Sequence, residues 1–281
     1  MLFRSASVAG FAAPAIQFDA DLDRIDVDRY TGGGSAGQAA GKAPVDKGDK
    51  GGKGEAGKPA ADKPIDLEAL KGLNLKGRLR IGQLTASGLK AEKMELALQA
   101  AGGKLDLPVM KAALYGGTLD GSASVNANNY QFVAKQKLEG INIGPLLRDV
   151  AKKDLLEGRG KVELNVQTTG RAVPALKKAL GGTAAVVFSD GAIKGINLAE
   201  ALRKAKAAIG SKSAQEQQAQ GGDKTDFSEL TASFVIRQGV AHNEDLSAKS
   251  PFLRLGGAGD LDIGEGRMNY LAKAAVVNKI G

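Results

Sequence analysis

Apolar and polar residues alternate one for one in segment after segment of this chain. A period of two puts successive side chains on opposite faces of a strand, so the chain is committed to sheet with one apolar and one wet face. Over residues 16–23, Ile16, Phe18, Ala20 and Leu22 face one way and Gln17, Asp19, Asp21 and Asp23 the other. Residues 73–81 set Leu73, Leu75, Leu79 and Ile81 against Asn74, Lys76, Arg78 and Arg80. The same pattern runs through residues 92–99, 117–126 and 160–169, and residues 130–138, 230–237, 241–248, 251–263 and 267–277 read as further strands. The connections between them are short. Parallel neighbours need crossovers of a dozen or more residues, so the expectation is a strongly curved, antiparallel meander: a mainly β, α+β fold with an apolar inner face or groove.

Glycine is unusually frequent, 39 of 281 residues, about twice average usage. Three Gly-Gly pairs, Gly116-Gly117, Gly181-Gly182 and Gly256-Gly257, each precede an alternating run. They suggest repeated hairpins without a strict period, with bulges and close strand approach at the glycines and space left open on the apolar face. Three helices interrupt the strands. Residues 143–153 and 173–180 each carry a proline near the first turn. Residues 197–209 open on Asn197, with Glu200 three residues on and an apolar stripe of Leu198, Ala201, Leu202, Ala205 and Ile209. A shorter helical turn covers residues 65–71.

Residues 32–63 are almost entirely Gly, Ala, Lys, Asp, Ser, Gln, Glu and Pro, with Val45 the one bulky apolar side chain. Such a stretch cannot bury enough apolar area to offset its ordering entropy and reads as a disordered linker. Residues 211–224 form a second polar loop. Residues 1–15 contain Arg4 and end on Ala13-Pro14-Ala15 but lack a bulky apolar centre, so they read as a ragged end rather than a signal peptide. No window of some 18 apolar residues is long enough to cross a bilayer as a helix.

The chemistry is narrowed by what is absent. With no cysteine and a single histidine, His242, disulfides, thiolate nucleophiles, thiolate zinc and His-pair metal sites are excluded. Gly256-Gly257-Ala258-Gly259 neither follows a strand nor opens a helix, so it is no dinucleotide fingerprint. Asp19, Asp21 and Asp23 form a carboxylate ladder beside Arg24 and Arg29; it reads as a solvated strand face, lacking calcium-loop spacing. His242 reads as a surface turn residue. The net charge of +8 is spread along the chain with few aromatics, which speaks against nucleic acid. Arg203, Lys204 and Lys206 lie opposite the apolar stripe of residues 197–209. They suit either a helix covering the sheet or one lying on an anionic membrane.

The segments 18–30, 144–170, 180–210 and 225–277 resemble the C-terminal part of the AsmA family of bacterial envelope proteins. The run DGAIKGINLAEALRKAK at 190–206, followed by a polar loop and TDFSEL at 225–230, carries most of the likeness. The resemblance implies a fragment, residues 1–281, of a longer protein with an inner-membrane anchor and a periplasmic body. It implies outer-membrane biogenesis and phospholipid or lipopolysaccharide transport or homeostasis at the periplasmic face of the inner membrane. An anchorless chain leaves a cytoplasmic fate open. The family offers no agreed catalytic residues, so none are carried over.

Three readings follow. In the first, the chain is a non-enzymatic lipid module without cofactor or metal. Leu119, Val125, Val162, Leu164, Val166, Leu253, Leu255 and Leu261 would face acyl chains, and its partners would be lipids and a membrane surface. In the second it is a scaffold binding another envelope protein, with no lipid cargo. The third, a carboxylate-dependent hydrolase, lacks an announced carboxylate pair. For all three, the helices and the opposite sheet could instead fill the apolar face as a core.

Overall fold

The computed structural model describes residues 2–9, 15–28, 64–195, 224–251 and 253–277. Thirteen strands form one open sheet in which spatial order equals chain order. They are β1 (Leu2–Ala9), β2 (Ala15–Asp26), β3 (Leu75–Ala86), β4 (Leu89–Ala101), β5 (Lys104–Leu114), β6 (Gly117–Asn126) and β7 (Gln131–Asn142). After these come β8 (Leu156–Thr169), β9 (Gly181–Lys194), β10 (Lys224–Arg237), β11 (Val240–Lys249), β12 (Leu253–Asp262) and β13 (Arg267–Val276). Helix α1 (Glu68–Lys71) precedes β3, α2 (Ile143–Ala151) joins β7 to β8, and α3 (Val173–Lys178) joins β8 to β9.

The mainly β architecture agrees with the sequence, as do the helices expected at 143–153 and 173–180, which are α2 and α3, and the differences have physical causes. The ragged end contains β1, paired antiparallel with β2. Strand β5 escaped notice because Pro108 and the bulges around it break its alternation. Strands β2 and β3 pair in parallel, Ile16 opposite Leu75 through Asp26 opposite Thr85, so the meander has one exception. The stretch between them that contains residues 32–63 supplies the long return a parallel pair requires. That linker and the helix at 197–209 lie outside the described residues. So does the polar loop at 211–224, except for Lys224, which opens β10.

The tight turns account for five of the 39 glycines. Ser87-Gly88, Gly102-Gly103, Tyr115-Gly116 and Gln238-Gly239 are two-residue hairpin loops with positive φ at both positions, such as 52° and 82° at Ser87 and Gly88. This is the turn whose twist matches that of paired strands. The Gly-Gly pairs therefore do not share one role: Gly116 is a turn residue, whereas Gly256 and Gly257 lie inside β12.

Turn by turn, the strand ends fall into two sets. At one end lie the β3–β4 and β5–β6 turns and α2. At the other lie α1, the β4–β5 and β6–β7 turns, α3, and the β10–β11 and β12–β13 turns. Helix α2 packs on β8 and reaches β4, with Leu146 and Leu147 against the apolar face. The contiguous core is drawn toward this end. It joins Ile81, Met94, Leu114, Leu138, Ile141, Phe188, Phe227 and Leu230.

Candidate functional site

The strand registers set apolar residues in rows across the sheet. One row runs Ala20, Leu79, Leu96, Met110, Gly121, Gln136, Leu164, Ala184, Phe234. The next row toward α2 contains Leu119, Leu138, Val162 and Val186, and the next away from α2 contains Ala123, Ala134, Val166 and Gly182. All eight candidates from the sequence lie on this apolar face, but not in equivalent surroundings. Leu119, Val162 and Leu255 pack against the core cluster, and Leu253 is 6% exposed. Val125, Leu164, Val166 and Leu261 lie outside the cluster and are only half-buried, as are Leu98, Leu105, Leu107 and Phe132 around them. Among the described residues there is no second sheet to cover them. The half of the face away from α2 is thus the candidate site.

Glycines do not hold this face open. Several are covered by a large neighbour: Phe18 lies over Gly77, Phe227 over Gly158 and Gly191, Tyr270 over Gly257 and Gly259, and Gln136 over Gly121, while Gly160 and Gly182 lie against the backbone of the paired strand. A Cβ at Gly77 would stand 2.8 Å from the Phe18 ring, and one at Gly191 would stand 2.5 Å from Phe227 Cζ. A missing side chain on one strand seats an aromatic from the next, which fills the pleat. Gln136 does this with an amide. Its Nε2 donates to the Ser122 carbonyl at 2.9 Å, and its Oε1 is buried with no hydrogen-bond partner.

A buried polar group fixes the double bulge of β11 against β10 and β12. Asn243, 1% exposed, donates from Nδ2 to the Ser233 carbonyl at 2.7 Å and to Asp245 Oδ1 at 2.6 Å. Its Oδ1 accepts from the Tyr270 hydroxyl. The Ser233 hydroxyl and N–H both donate to Asp245, at 2.6 and 2.8 Å. These bonds hold the Asp245 carboxyl below the usual carboxylate range, while burial pushes the Tyr270 phenol up. Every polar atom named here is engaged, so the group is a clamp on strand geometry.

The polar face carries its own order. Asp21, Arg80, Glu95, Lys111, Asp120, Lys137 and Glu163 stand opposite one another from β2 to β8, alternating in sign at each step. Arg80 Nε donates to Asp21 at 2.7 Å, its Nη2 pairs with Asp19, and Lys111 approaches Asp120 at 3.6 Å. The aspartate ladder therefore meets an arginine from the parallel strand. Among the described residues no acidic or histidine group is arranged to hold a metal. A groove of about 670 Å³ is bordered by two complete polar-face rows, including Asp120, Lys135, Lys137 and Glu163, whose charges cancel. It offers no preference for an ion of either sign.

His242 is not in a turn. It lies in β11 between two carboxylates, Nδ1 2.7 Å from Asp260 and Nε2 3.0 Å from Glu244. The Glu244 bond, then that of Asp260, raises its pKa above 6.5. Its partners are both carboxylates, so it has no hydroxyl to activate.

No helix among the described residues is long and apolar enough to cross a membrane. No curated protein and no solved structure matches the chain. The model of one family matches residues 6–246, all the described strands from the middle of β1 into β11. A one-sided open sheet of this length, matched over most of its extent, places the chain in the AsmA family, among envelope proteins of the outer-membrane-biogenesis type.

Proposed function

We propose that the half of the apolar face away from α2 holds the acyl chains of a phospholipid or lipopolysaccharide, and that the chain handles lipid in the envelope without bond chemistry, cofactor or metal. The observation that carries this is that Leu164 and Val166, in adjacent rows, are half-buried, outside the packed core and under no second sheet among the described residues. Each methylene taken from water onto such a surface contributes about 0.8 kcal/mol, so a chain of ordinary length is held without specific contacts. The periplasmic face of the inner membrane is the setting this reading assigns. The eight candidates divide accordingly. Val125, Leu164, Val166 and Leu261 would meet lipid, while Leu119, Val162, Leu253 and Leu255 would support the fold.

The test is lipid extraction and mass spectrometry on protein purified without detergent. Leu164→Glu should lose co-purifying lipid while keeping a β-rich circular dichroism spectrum. Lipid content equal to that of the parent would overturn the assignment. A β-rich parent protein that carries no lipid would favour a scaffold binding through the open edge of β13, where Met268 and Leu271 are 73% and 63% exposed.

A further inference from the structure

The two ends of the sheet differ in how their cations are used. At the α2 end, Lys90 faces Asp149 at 3.8 Å, Arg148 faces Asp154 at 3.1 Å, Lys224 faces Asp226 at 3.4 Å and Lys249 faces Glu229 at 2.6 Å. Lys194 sits between Asp154 and Glu157. Lys152 and Arg159 donate to backbone carbonyls, and Lys153 is the one lysine beside this helix with no side-chain partner among the described residues. At the α3 end, Lys104, Arg171, Lys177 and Arg237 have no carboxylate partner among the described residues. The acids there are mostly engaged locally: Glu68 with Lys71, Glu265 with Lys178, Asp262 with Arg267, and Asp66 with the Glu68 N–H. Asp106, two residues along β5 from Lys104, is the exposed exception.

These four cations stand on one connected rim. Arg171 stacks over the Tyr130 ring at 4.5 Å, and its carbonyl accepts the Ile65 N–H. The Gly239 N–H in the turn after Arg237 bonds to the Leu180 carbonyl just beyond α3, and Lys178 reaches Glu265 at 2.8 Å. Val173 and Met268 project apolar surface from the same rim, 43% and 73% exposed. This is also the end toward which the apolar face is least packed.

We infer that this rim docks on an anionic phospholipid surface, with Lys104, Arg171, Lys177 and Arg237 over the headgroups and Val173 and Met268 at the interface. Unpaired cations around apolar tips are what such a surface attracts, whereas paired cations have already given up that attraction. The docking fixes the sheet with α2 pointing away from the membrane. It deepens the lipid-handling reading by naming the end at which cargo would enter, yet it needs no cargo to be true.

The experiment is flotation of the full chain with vesicles of phosphatidylglycerol and phosphatidylcholine in equal parts, against phosphatidylcholine alone, over a salt series. The parent should float with the anionic vesicles and less so as salt rises. Reversing the four rim cations to glutamate should weaken binding by at least about tenfold, each cation near such a surface being worth several-fold. The control reverses Lys90, Lys194, Lys224 and Lys249, each of which faces a carboxylate at the other end, changes the net charge equally and should float like the parent. Both variants keep the lysines of residues 29–63 and 196–223. If the loss of Arg171 unfolds the rim, the triple variant at Lys104, Lys177 and Arg237 carries the same expectation. Equal loss in rim and control variants, or no binding by the parent, would overturn the inference; the latter would point to an acidic protein partner instead. The Leu164→Glu variant should float normally, so failure of docking and failure of cargo binding are separate results.

Discussion

Gly160 in β8 and Gly256 in β12 are both strand glycines with ordinary φ, yet the same substitution should act on them with opposite sign. A Cβ at Gly256 meets nothing nearer than the Leu246 carbonyl oxygen at 3.7 Å, which is ordinary contact. Gly256→Ala removes chain entropy from the unfolded state and should stabilise by about 0.5–1 kcal/mol. At Gly160 the same atom runs into the Val187 carbonyl of the paired strand and stands 2.8 Å from Phe188 Cα. Strands β8 and β9 must part there, and overpacking of that kind costs about 1–3 kcal/mol. Set against the same entropic gain, Gly160→Ala should destabilise by up to about 2.5 kcal/mol. Native-state amide exchange reads this locally. Protection in β8 and β9 should fall by up to about seventyfold, while protection in β12 and β13 rises in the other variant. Shifts of the same sign at both sites would refute the idea that close approach across the pleat, rather than glycine itself, is what these strands require.

His242 is the only histidine, so its titration can be followed as a single imidazole signal. Its pKa is raised in the folded chain by Glu244 and Asp260. The stability it contributes is therefore complete below about pH 6.5 and fades as pH rises through the higher folded value. His242→Gln should flatten that part of the stability profile, and a midpoint at or below the free imidazole value would contradict the geometry. Asp245 has the opposite sign. Its lowered pKa gives stability above about pH 3.9 that is lost on acidification, so Asp245→Asn should blunt acid unfolding measured by circular dichroism. The Tyr115 hydroxyl donates to Asp149 of α2 at 3.0 Å and accepts the Lys90 N–H at 3.4 Å. Tyr115→Phe should cost about 1 kcal/mol and speed amide exchange in α2 ahead of the sheet; unchanged exchange there would remove this bond from the anchorage of the helix.

Much of the sheet was legible because period-two alternation needs no partner to be seen. Residues 117–126 coincide with β6, and residues 267–277 with β13 to within one position. What was hidden depended on pairing. β5 was masked by Pro108 and its bulges, and the parallel match of β2 with β3 cannot be read from either strand alone. The two carboxylates about His242 come from its own strand and from β12, and only the register of β11 with β12 joins them. For the candidate site, alternation placed all eight residues on one apolar face. It could not separate Leu255, packed in the core, from Leu164, because that distinction is set by which side chains of neighbouring strands gather toward the α2 end of the sheet. The alternating charges from Asp21 to Glu163 were likewise invisible strand by strand. Opposed signs at each step favour this register over slipped ones.

Strand order that repeats chain order has a consequence for how this molecule comes apart. Each strand shares its backbone ladder only with the strand before and after it, so the sheet behaves as a linear array of nearest-neighbour couplings, without the mutual closure of a barrel or sandwich. Such an array frays inward from its termini. Helix α2, touching both β4 and β8, is a tie that skips neighbours. It ties β4 to β8 directly, and the Lys178–Glu265 bridge ties α3 to the β12–β13 turn in the same way.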